Sequence, residues 1–262
     1  MERQTIQEQL ARMAGVVFVE ASALAELTLA PDTERKLVVL HDGANSSLST
    51  IRLERGARLE LTEIFTAESF RSLKILQEEG STSELTMLQL GSSNADISLS
   101  LNGPHAESRL RGLFLAAEKE HCEVLLRTEH NHSDCTSESI VKGVAGGEEA
   151  FGRFRGLVYV ARDAQRTNAR QTSRNIELTP GARIRTEPQL EIYADDVKCS
   201  HGATVGQLDG DAILYMRQRG LSEQQARRLQ IEGFAGDMVC HHSNEELGAL
   251  LCELVSEKLQ TM

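Results

Sequence analysis

The 262-residue chain has no tryptophan, and aromatic residues make up only 4% of it. A core must therefore come from Leu, Ile, Val and Ala, which suits stacked coils with a narrow aliphatic interior. Long apolar runs are also missing. The stretch Ala14 to Val19 ends at Glu20, too short for a membrane span, and the early charges form no secretory leader pattern. The five cysteines, Cys122, Cys135, Cys199, Cys240 and Cys252, form no CxxC pair and no zinc-finger spacing. This scattered, odd-numbered set suits a reducing compartment better than a disulfide framework. The expectation is a soluble, cytoplasmic protein. The net charge of −11 argues against non-specific nucleic-acid binding, which depends on Lys and Arg neutralising phosphates. Nucleotide and hydrolase signatures are absent too: there is no GxxxxGK[ST] loop, GxGxxG turn, GxSxG elbow or HExxH helix.

What is there divides into three stretches. Residues 1–15 read as a short N-terminal helix and its exit, with Ile6, Leu10 and Met13 at helical spacing. Residues 16–206 carry short alternating runs separated by Gly, Asn, Asp and Ser, among them Lys36 to Leu40, Leu85 to Leu90, Ile97 to Leu101 and Leu157 to Val160. Such spacing predicts a sandwich, a barrel or a β-helix. The echo between Arg111–Leu115 and Arg155–Val160, and the polar run Thr167 to Ile176, lean toward a β-helix, because Asn, Gln and Ser stack in ladders and tolerate tight turns. An irregular sandwich stays open on periodicity alone.

Residues 207–262 switch to helical spacing. Asp211 to Gly220 forms a short helix closed by glycine. Ser222 and Gln225 form a capping box ahead of Ala226, Leu229, Phe234 and Met238. Asn244 or Ser243 caps a last helix with Leu247, Leu250, Leu251, Leu254 and Val255 on one stripe.

Two places can carry chemistry. In an extended segment Cys199 and His201 project on one face about 7 Å apart, where thiolate and imidazole can hold a soft or borderline metal. A buried cysteine beside a hydrogen-bonded histidine is the structural alternative. The second place is His121-Cys122 with His130-Asn131-His132-Ser133-Asp134-Cys135, which by composition suits either a metal site or a polar turn between coils. His241-His242 follows a helix, whose C-terminal end favours positive charge.

The segment Pro188 to Gly206, containing Cys199-Ser200-His201-Gly202, strongly resembles the SufD family of the SUF iron–sulfur cluster assembly system. Tyr215 to Gly220, Ala226-Arg227, Glu129-His130-Asn131, Cys135 and Arg155 to Val160 resemble it as well. The resemblance implies a mainly β fold: a right-handed parallel β-helix with a C-terminal α-helical subdomain and a short N-terminal helix. It implies a non-catalytic subunit that pairs with the SufB scaffold and docks the SufC ATPase through its C-terminal helices, or pairs with itself when isolated. His201 then faces the partner as a metal ligand, with Cys199 beside it, holding a nascent iron–sulfur cluster shared with SufB. Any reduced flavin is a matter for the whole complex, and no residue here is assigned to it. Competing readings are an exported β-helix polysaccharide hydrolase or lyase, and a stand-alone metal-binding protein built on residues 121–135.

Overall fold

Alternation of inward and outward side chains runs through the β region, and it dictates the architecture. The computed structural model describes residues 3–240 and 242–262. Helix α1 (Arg3–Arg12) leads into fifteen strands: β1 (Val17–Glu20), β2 (Glu26–Leu29), β3 (Glu34–His41), β4 (Asn45–Leu53), β5 (Arg58–Phe65), β6 (Ser69–Gln77), β7 (Thr82–Gln89), β8 (Ser93–Leu101), β9 (Glu107–Ala117), β10 (His121–His130), β11 (Thr136–Gly146), β12 (Phe151–Val160), β13 (Thr167–Glu177), β14 (Arg183–Ile192) and β15 (Val197–Gly206). Helices α2 (Gly210–Gln218), α3 (Glu223–Val239) and α4 (Glu245–Lys258) follow. Odd strands form one eight-stranded parallel sheet and even strands a seven-stranded one, each in consecutive order. The chain therefore winds as a parallel β-helix, one strand of each sheet per coil. The sandwich alternative is excluded, because every pairing among the described strands is parallel and skips one strand.

A left-handed backbone conformation recurs at one corner of successive coils, at Asp32, Gly56, Gly80, His105, Asp134 and Arg166. Backbone bonds run from coil to coil there, such as Gly56 N to Glu79 O and Arg166 N to Asp196 O. Positive φ favours Gly and tolerates Asp, which accounts for the polar punctuation of the sequence. The glycine-containing echo is not a coil repeat, however. Arg111–Leu115 lies in β9 and Arg155–Val160 in β12, in opposite sheets.

Inside the early coils the filling is aliphatic: Val39, Ile51, Leu61, Leu73, Ile75 and Leu85 belong to one buried cluster. Each such side chain contributes about 1.5–3 kcal/mol by leaving water. One ion cluster interrupts this interior. Arg71, fully buried, donates from Nε to both Glu63 oxygens at 3.0 Å and from Nη2 to Oε1 at 2.8 Å. Its Nη1 donates to Ser49 Oγ at 2.7 Å, and Ser49 in turn bonds the Leu24 carbonyl. His41 Nε2 lies 3.2 Å from Glu63 Oε2, with its ring stacked on Phe65. Burial alone would push the Glu63 carboxyl up. The Arg71 guanidinium and His41 more than reverse this and hold it at about 2.

The outer face of the odd sheet is covered. Val38, Leu40, Ile64, Leu88, Leu113 and Leu115 pack under Ile6 and Leu10 of α1, Ile231 and Met238 of α3, and Leu247 and Leu251 of α4. Strand β9 reads as a continuous buried run from Gly112 to Ala117 because both its faces are covered. Caps form as the sequence indicates: the Ser222–Gln225 capping box opens α3, and Asn244 Oδ1 accepts from Leu247 N to open α4. Ser243 instead bonds Glu60. Lys142 Nζ donates to Asp237 at 2.6 Å and to the Phe234 carbonyl at 2.8 Å, and Lys258 pairs with Glu120 at 2.6 Å.

Two expectations about the tail fail. His242 does not serve the end of α3; its Nε2 sits 3.0 Å from Thr62 Oγ1 and its Nδ1 accepts from Asn244 N, tying the tail to β5. His241 lies outside the described residues. The cysteines are not all free either: Cys240 and Cys252 form a disulfide, with Cα atoms 5.2 Å apart. Cys240 ends α3 and Cys252 lies in α4, so helix packing joins residues that no CxxC spacing announced. Among the described residues, no helix is long and apolar enough to cross a membrane.

Candidate functional site at the open end of the coils

Strands β14 and β15 terminate the two sheets, so each has a neighbour on one side only. Register places Cys199 over Ala169 and His201 over Gln171. Strand parity then puts Val197, Cys199, His201, Ala203 and Val205 on one face, above the buried residues Thr167, Ala169, Gln171, Ser173 and Asn175. That face points inward in every earlier coil. Here no further coil covers it: Cys199 is half-buried and His201 is exposed. Ile192, Tyr193 and Val205 are large apolar side chains left 38–59% exposed at the same end. Unpaired strand edges of this kind readily accept another chain.

The interior changes character toward this end. Where the early coils hold Leu and Ile, the late ones bury Thr128, His130, Ser137, Gln171, Ser173 and Asn175. His130 Nε2 lies 2.8 Å from Ser137 Oγ, and burial lowers its pKa to about 4, leaving the ring neutral. Asn175 bonds Ser173 and the Thr204 carbonyl. Both amide atoms of Gln171 are buried without a hydrogen-bond partner. Partial burial pushes the Cys199 thiol up, against a backbone hydrogen bond from Ala169 that lowers it.

Residues 121–135 are distributed among strands and a corner. His121 is exposed at the start of β10, Cys122 and His130 point into the core, and Cys135 is buried against Gly103 O. Asp134 takes Arg166 in a two-point ion pair at 2.6 Å on the outside of the corner. Side chains that alternate inward and outward do not converge. Among the described residues, no group of three or more His, Cys, Asp or Glu is arranged to hold a metal ion.

One soft thiol and one imidazole on an exposed inward face offer two donor groups, where a closed metal site takes four. Sequence reasoning located both side chains through the period-two spacing of an extended segment. The buried, unpartnered amide of Gln171 sits in a polar run that carries no motif.

Comparison with known proteins bears on the family of the chain. SufD of Escherichia coli K12 is 36% identical over 162 residues, covering 62% of this chain and 38% of that protein. The SufBD family protein slr0076 of Synechocystis is 44% identical over 119 residues, covering 45% of this chain and 25% of that protein. The SufBD family protein ML0594 of Mycobacterium leprae is 34% identical over 145 residues, covering 53% and 37%. The chain thus spans well under half the length of these curated relatives. The family described as SUF system FeS cluster assembly, SufBD core domain, matches residues 4–234, and the chain belongs to that iron–sulfur cluster assembly family.

Proposed function

We propose that the chain is a non-catalytic subunit of a SUF assembly complex, pairing through its open end with a SufB-type scaffold and carrying the SufC ATPase on its helical tail. The observation that supports this most is the uncovered inward face of β15, with Cys199 and His201 side by side on an unpaired strand edge. A scaffold strand laid against β15 would continue the coil stack, cover the apolar end and bring the missing ligands. The nascent iron–sulfur cluster is the cargo of such a junction: His201 would ligate iron as neutral imidazole and Cys199 as thiolate. A second copy of the chain is the competing occupant of the same edge.

For the ATPase, the supporting observation is α2, which has no buried residue and exposes Leu214 and Tyr215, next to α3 with Leu229 exposed. Amphipathic helices presenting such side chains dock into hydrophobic grooves. Removing the whole tail is a poor test, because α3 and α4 cover the outer face of the odd sheet. The expected result is that Leu214→Asp combined with Leu229→Asp weakens binding to SufC by roughly 30-fold or more, the size of a lost interface hot spot, with an unchanged melting temperature. Titration calorimetry with purified SufC measures this, and wild-type affinity in the double variant would remove the tail from the interface.

A further inference from the structure

We infer that Gln171 is the residue that positions the His201 imidazole, and this rests on the reading of His201 as an iron ligand. A metal-bound histidine normally hands its second ring nitrogen to a neighbouring hydrogen-bonding group, which fixes the tautomer and ring orientation. His201 is exposed and stands at the end of its strand stack. Three neighbours share its column or its side of the face. Cys199 is itself a proposed ligand, Ala203 has no polar side chain, and Gln171 is the direct register partner on the adjacent strand, about 4.8 Å away between backbones.

Gln171 is fully buried, yet neither its Nε2 nor its Oε1 has a partner. A buried amide in that state is costly, because it gives up water and gains nothing. Its neighbour Asn175 donates from Nδ2 to Ser173 Oγ and to the Thr204 carbonyl, so only its Oδ1 is left over, whereas Gln171 has both amide atoms unspent. The chain also makes room for the amide. It lies against Gly156 of β12, where any Cβ would collide with Oε1 and the side-chain carbonyl carbon. A long, polar, unspent side chain in register with the exposed histidine, given room by a glycine, is what an orienting group requires. Its oxygen accepts the imidazole N–H, while the other ring nitrogen faces the junction. To meet the ring the amide has to swing away from Gly156 about its outer side-chain bonds, and closure of the end by a partner would exclude the competing water.

The test compares the full chain with Gln171→Met, which keeps length and burial but removes both hydrogen-bonding groups, and with Gln171→Glu, which retains an acceptor. The first readout is the ¹⁵N spectrum of the His201 ring in the complex with the scaffold partner. Wild type and Gln171→Glu show one dominant tautomer, whereas Gln171→Met shows a mixture. The second is cluster maturation, which falls about tenfold or more in Gln171→Met while the melting temperature does not drop. An unchanged tautomer and unchanged maturation in Gln171→Met, with His201→Ala still defective, would overturn the positioning role and leave the ligand reading standing. If His201→Ala is silent as well, the ligand reading itself has failed.

Discussion

Replacing Arg71 with methionine lowers the melting temperature by about 10 °C, the effect of losing roughly 3–5 kcal/mol when one member of a buried ion pair is removed from a chain of this size. The guanidinium is fully buried and supplies three contacts to Glu63 and one to Ser49. Without it the Glu63 carboxylate stays in the aliphatic interior with only His41 beside it. Thermal melts followed by circular dichroism measure the change, and a shift below about 2 °C would show that the cluster is not a structural staple. The double change Glu63→Leu with Arg71→Met recovers much of the loss, because an apolar pair of similar volume needs no compensation. Acid adds a second signature. Glu63 binds its proton at about 2 in the folded protein but near 4.5 when unfolded. Its contribution is therefore complete above pH 4.5 and is lost as the pH falls through 2, an effect on the order of 3 kcal/mol. Glu63→Gln removes that part of the acid dependence.

His201→Ala has the opposite profile. The side chain is exposed, so the melting temperature stays within about 1 °C of wild type, in the range of ordinary surface changes. Cluster maturation in cells depending on this system is expected to fall by at least about tenfold, since the proposed iron ligand is gone while the proteins stay assembled. Cys199→Ala is milder. Partial burial pushes its thiol up, so the thiolate needed for ligation is disfavoured until metal and partner arrive. Normal maturation in His201→Ala, or an unfolded variant, would remove the residue from the site.

Much of this was legible in the sequence, for identifiable reasons. Period-two spacing placed Cys199 and His201 on one face, and the glycines and aspartates between strands mark corners where φ is positive. Capping residues announced α3 and α4. What stayed hidden depends on contacts between coils. Leu229 is exposed because it lies about half a turn around α3 from Met238, on the face that the odd sheet does not cover. Glu63 and Arg71 look like surface charges until the winding turns them both inward. Cys240 and Cys252 meet only through the packing of α3 on α4. The role proposed for Gln171 depends on its register with β15 and the gap left by Gly156, neither of which has a local pattern.

The most direct test of the account is native mass spectrometry of the chain co-expressed with a SufB-type scaffold and SufC, alongside a variant with Val205→Arg and Ile192→Arg at the open end. One copy of this chain with one scaffold chain is expected in the wild-type assembly, with SufC attached. In the variant the scaffold is lost while SufC remains bound to the tail. A wild-type chain that binds no scaffold, or a variant that keeps it, would contradict the proposal that the uncovered end of the coil stack is the working surface.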